Sequence, residues 1–176
     1  AVAANAALSH IGQKTLNSLL PLMDTSVTIT LQLTRFHLWF EEYVRGDPTV
    51  LSEDVWGHFN DAQNSIAAMH AGAKPSGLTR FGPQPSLAGN LNQLDGLLRH
   101  LKTIGITRQK ARNDPAHINA LDADFEAVIN QALGVADTIK SDLHTLTQSN
   151  IRFLRQISII LNMAFIALGG FAMLVM

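Results

Sequence analysis

"FHLWFEEYVRGDP", residues 36–48, fixes the helical character of the chain and one of its turns. Phe36 and Phe40 continue an apolar series through Leu19, Ile29 and Leu33 that lies on one side of a helix at about 100° per residue. Gly46-Asp47-Pro48 then ends it, because proline cannot carry a helix onward.

Working outward, every segment reads as helix, with no alternating β-branched runs joined by hairpin turns. Segment one covers about 9–45, and Pro21 is expected to kink or restart it. Ser52-Glu53-Asp54 begins segment two, which runs to about Ala71. Residues 72–85, "GAKPSGLTRFGPQP", hold three prolines and three glycines and read as a loop. Ser86 is the expected cap of segment three, to about Arg112. Pro115 suits a first helical position, and segment four runs on from Ala116 without a breaker.

The fold class that follows is all-α. It is an antiparallel up-down-up-down four-helix bundle with long first and fourth helices, the fourth continuing into a transmembrane helix. Both Asp-Pro turns fall at one end. Toward the other end the two long helices stand alone, with Ile11, Leu16 and Leu19 on one and Ile139, Leu143 and Leu146 on the other. Two helices cannot bury such faces unaided, so a parallel homodimer is expected.

Composition agrees with a membrane-anchored chain. Of 176 residues, 47% are hydrophobic and 15% charged, against about a quarter charged in soluble domains. The charge-poor part is 157–176, "ISIILNMAFIALGGFAMLVM", in which Ser158 and Asn162 are the polar side chains. About 20 apolar residues span a bilayer as a helix. The expected division is therefore a helical domain over 1–156 and a membrane helix over 157–176. Arg152 and Arg155 would lie at the headgroups, although one flank alone does not orient the span. The apolar opening "AVAANAAL" reads as the tail of an earlier membrane helix. A net charge of -1 gives no reason to expect nucleic acid as a partner. With no cysteine, thiolate metal sites and CxxCH haem attachment are excluded. No GxSxG, HExxH or P-loop occurs, so the chain is read as non-enzymatic and without a cofactor.

The block His37 to Glu42 with Gly46-Asp47, "LDADFEAVINQAL" at 121–133 and "NIRFLRQ" at 150–156 resemble extracytoplasmic four-helix-bundle sensor domains of bacterial transmembrane receptors. Chemoreceptors, sensor histidine kinases and membrane-bound diguanylate cyclases carry such domains. The resemblance implies a dimeric, ligand-sensing receptor in the inner membrane, with its bundle on the periplasmic side and a signal passing through helix four. Other readings are an anchored structural or partner-binding bundle with no small ligand, and a metal- or haem-binding bundle.

The candidate ligand-binding residues are Thr34, Arg35, His37, Trp39, Glu41 and Glu42. Leu20, Met23, Val27, Leu31 and Leu38 are read as the second flank of the core-facing arc. His37 lies mid-arc with Thr30, Thr34 and Glu41. His37 and Glu41 are spaced i, i+4 and can touch. They suit a buried mutual pair, a polar pocket for a small ligand, or a metal. The Glu-x-x-His pairs of carboxylate-bridged bundles are absent. Trp39 falls outward with Arg35 and Glu42, where it is expected to meet a second copy or a ligand. His58 and Asp122 or Asp124 come near the same level. His70 and Asn90 form a weaker second pocket.

Overall fold

The computed structural model describes residues 2–72, 85–111 and 115–174, with side chains over 10–167 other than 11, 14–16, 18, 85 and 115–118. The side chains of Ile11 and Leu16, and nearly all of the expected loop at 72–85, lie outside what is described. The described residues form four α-helices packed together: α1 Val2–Arg45, α2 Ser52–Gly72, α3 Pro85–Ala111 and α4 Pro115–Leu174. Two boundaries carry proline as the first helical residue, where its missing N–H is no loss. The third helix therefore starts at Pro85, with Ser86 already inside its first turn.

The turn after α1 is closed by backbone geometry. Gly46 takes φ +89°, a left-handed conformation that favours glycine. Its N–H donates to the Tyr43 carbonyl and that of Asp47 to the Glu42 carbonyl, both at 3.1 Å, the paired bonds of a Schellman cap. The Asp47 carboxylate then accepts from the Thr49 hydroxyl and amide. These two bonds, the hydroxyl's first, hold its pKa below the ordinary value.

Pro21 neither ends nor restarts α1, which continues through it. Leu19 and Leu22 are buried on either side, so packing outweighs the missing backbone bond.

The core is one cluster that draws on all four helices, including Leu33, Phe36 and Phe40 of α1, Phe59 and Met69 of α2, Leu91 to Leu101 of α3, and Phe125 to Leu146 of α4. Pairings run along the bundle. His58 of α2 meets Gln32 of α1, and Leu22 reaches Gly72. Asn90 of α3 donates to Asp142 of α4. Gly105 of α3 is a close approach, where an added methyl would stand 3.2 Å from the Trp56 ring. Along α4, Ile139, Leu143 and Leu146 are buried, as is Leu19 of α1, within the single chain; the expectation that these faces need a second copy to cover them is corrected.

The core-facing arc of α1 is narrower than its sequence suggests. Leu20, Val27, Leu31 and Leu38 are 57%, 53%, 45% and 57% exposed. They miss the core because α2 and α4 cover the flank that carries Ile29, Leu33, Phe36 and Phe40. Helix α4 runs unbroken from the bundle into the apolar stretch that begins at residue 157. Ile159, Ile160, Met163 and Ile166 on it are exposed. Among the described residues no helix is long and apolar enough to cross a membrane; the expected span at 157–176 extends past the described side chains.

Candidate functional site

The strongest constellation sits where α1 ends, α3 ends and α4 begins. Its base is aromatic. Phe36 touches Phe40, Trp56, Phe59 and Phe125, with ring centroids 5.1–6.0 Å apart. Phe40 stacks on Phe125 at 4.5 Å. Over these two rings lies the guanidinium of Arg108, 5.4 Å from one and 5.1 Å from the other, a cation–π arrangement.

Arg108 is 4% exposed and belongs to α3. It forks onto Glu41 of α1, with Nη1 donating to Oε1 and Nη2 to Oε2, the latter at 3.0 Å. Its Nε donates to Asp122 of α4. A buried cation without such partners would be costly, and here one guanidinium joins three helices. Burial pulls its pKa down, but Glu41 and then Asp122 outweigh burial, and the net shift is upward. Arg108 therefore stays charged throughout the working pH range. Beside it, Gln109 donates to the Tyr43 hydroxyl at 2.9 Å, and the Trp56 N–H reaches the Gln109 side-chain oxygen at 3.4 Å.

His37 and Glu41 do point the same way, but they do not bond each other. His37 Nε2 is 2.9 Å from Glu126 Oε1 of α4, and Glu41 turns to Arg108. The expected mutual pair is thus corrected: each has a better partner on a neighbouring helix. One ligand atom each of His37, Glu41 and Glu126 lies within 4.8 Å of the others. Asn130 donates to the second oxygen of Glu126 at 3.4 Å.

The other expected residues separate. Trp39 does not face outward: it is half-buried, packs on the core and meets the His58 ring edge-on at 5.0 Å. Helix α2 lies on that side of α1 and covers the part of the polar-reading face that carries Gln32 and Trp39. Arg35 and Thr34 are exposed, and the Thr34 hydroxyl donates to the Thr30 carbonyl at 2.8 Å. Thr30 does the same to Ser26. Glu42 is half-buried. Asn90, expected in a pocket with His70, is engaged by Asp142.

Sequence reasoning missed Arg108 and Glu126. The signal for Arg108 was present: Leu87, Leu91, Leu94, Leu98 and Leu101 step by four and three, and the same steps continue through Gly105 to position 108. A charged residue on the core stripe of a helix needs a buried partner.

Away from this cluster, a concavity lies between α1 and α4. It is an open groove of about 770 Å³ lined by Leu20, Met23, Asp24, Ser26 and Val27 with Asp137, Lys140, Ser141 and His144. Its walls are mainly apolar, and it borders the exposed leucine flank of α1. Compared with known protein families, curated proteins and solved structures, the chain matches none.

Proposed function

We propose that this chain is the ligand-sensing domain of a dimeric transmembrane receptor, an antiparallel up-down-up-down bundle held on the extracytoplasmic side of the inner membrane. The observation that carries this reading is the continuity of α4. One helix supplies Asp122 and Glu126 to the polar cluster and Asp137, Lys140 and His144 to the groove, and then enters the apolar stretch. A ligand at either place acts on the same rod that leaves the bundle.

The second copy packs on the uncovered flank of α1. Leu20, Asp24, Val27, Leu31, Thr34 and Leu38 step by four and three, the spacing of a coiled-coil seam. Its four apolar members are exposed in the single chain. A parallel pairing sets each residue against itself about a two-fold axis, as an isologous dimer requires. This flank replaces the Trp39 face as the expected contact. The bundle is read as a binding module with no catalytic role.

The test uses the absence of cysteine in the parent chain. In membrane vesicles, Leu31→Cys and Leu38→Cys are expected to crosslink to the same residue of a second copy, whereas Lys102→Cys is not. Ile160→Cys is expected to resist a membrane-impermeant thiol reagent until detergent is added. Free labelling of Ile160→Cys in intact vesicles would remove the membrane reading. Absence of crosslinking at both leucines would remove the dimer.

A further inference from the structure

We propose that His37, Glu41 and Glu126 form a binding site for one divalent transition-metal ion. The site itself does not depend on the receptor reading; a role for the ion as the sensed ligand rests on it.

The donors come from two helices. His37 and Glu41 are one turn apart on α1, and Glu126 meets them from α4. Their nearest donor atoms lie within 4.8 Å of one another, and His37 Nε2 and Glu126 Oε1 are already 2.9 Å apart. Bonds of 2.0–2.1 Å in a tetrahedral site place ligand atoms about 3.3 Å apart. Rotamer adjustments of an ångström or so therefore suffice. All three side chains are partly exposed, at 25%, 17% and 46%, which gives an ion a way in and leaves room for water at a fourth position.

Charge points the same way. The cluster holds three carboxylates and one buried guanidinium: Glu41 and Asp122 flank Arg108, and Glu126 adjoins Glu41 and His37. With His37 neutral the cluster keeps two negative charges over. Arg45 reaches Glu41 at 3.9 Å but is 78% exposed, so solvent screens it. A divalent cation balances the remainder. One imidazole with two carboxylates, and no thiolate, selects a borderline first-row ion such as zinc over magnesium or calcium, which prefer all-oxygen shells.

Binding has a structural consequence. His37 presents its Nε2 lone pair to the ion, so the ring proton moves to Nδ1 and the direct bond to Glu126 is replaced by a shared metal. Glu41 is then held by both the ion and Arg108. A carboxylate has about four lone-pair sites, so it can serve both. The metal and α3 thereby pull on one side chain, and the ion is linked to all three helices that Arg108 joins.

The test is titration of the full chain in detergent with Zn²⁺, and with Co²⁺ as an optical reporter. One ion per chain is expected, with visible Co²⁺ absorption. His37→Ala and Glu126→Gln should each weaken binding by roughly tenfold or more, with helicity unchanged by circular dichroism. His100→Ala, at an exposed position of α3 outside both the cluster and the groove, should bind as the parent does. Should His37→Ala fail to fold, Glu126→Gln decides alone, since the amide keeps the shape and a hydrogen bond to His37. Absence of parent binding below millimolar concentration overturns the site. So does retention of full affinity in Glu126→Gln, which would mark binding elsewhere. Metal bound with Ile160→Cys freely labelled would leave the site standing and remove the receptor reading; the reverse pair of results would do the opposite.

Discussion

Around Phe36 each ring meets another ring, while around Asn150 the packing leaves a polar group stranded. Both residues are buried, yet their surroundings differ. Phe36 lies where the helices crowd together, and its ring neighbours come from α1, α2 and α4. Asn150 lies far along α4, beyond the level where α2 and α3 pair with the long helices. It is 4% exposed and its Nδ2 has no hydrogen-bond partner among the described residues. Its neighbour Ile151 is 49% exposed. The number of helices at each level decides how much of a side chain's chemistry can be satisfied within one chain. Stability is therefore concentrated at the end that holds the polar cluster.

The largest expected effect sharpens that contrast. Phe36→Ala removes the ring shared by four others and should cost about 3–5 kcal/mol by denaturant unfolding in detergent. Ile151→Ala, on the half-exposed side of α4, should change stability by less than about 1 kcal/mol. Equal losses would break the comparison.

Arg108→Met comes next. It leaves the Glu41 and Asp122 carboxylates facing each other over two aromatic rings, with the cation gone. The expected loss is roughly 3 kcal/mol, and changing Glu41 and Asp122 to Gln and Asn in the same chain should restore part of it. A loss below 1 kcal/mol in the single variant would show that water replaces the guanidinium at little cost.

The smallest effect has the opposite sign. Asn150→Leu removes a buried donor with no partner and should raise stability by about 1 kcal/mol. A decrease would mean that Asn150 is satisfied in solution, by water or by a second copy, and that the two ends of the molecule are more alike than the single chain suggests.

Much of the fold was legible in the sequence, and the reasons are local. Gly46 and the prolines at 48, 85 and 115 punctuate the helices wherever the chain lies. The inward set Leu33, Phe36 and Phe40 follows from helical period alone. The site was legible in part. His37 and Glu41 share a face, but their partners Glu126 and Arg108 are 89 and 67 residues away. Period gives the angle of a side chain on its own helix; it does not say which neighbouring helix stands at that angle. The same gap misplaced Trp39, which α2 covers, and Leu31 and Leu38, which nothing among the described residues covers. Pro21 misled for a different reason. A breaker acts through one lost backbone bond, and buried leucines on both sides outweigh it.

The 60 residues of α4 make a lever. At 1.5 Å per residue the helix is about 90 Å long, and Glu126 sits near one end of it. From there to Leu174 is about 70 Å by the same rise. A tilt of about one degree at the cluster, too slight to break a hydrogen bond there, displaces the far end by more than about 1 Å if the rod stays straight. Loss of a few degrees to bending would absorb the motion, and Gly134 lies between the two ends. An alanine at that position, where an added methyl meets nothing within 4 Å, would stiffen the shaft without altering what it is attached to.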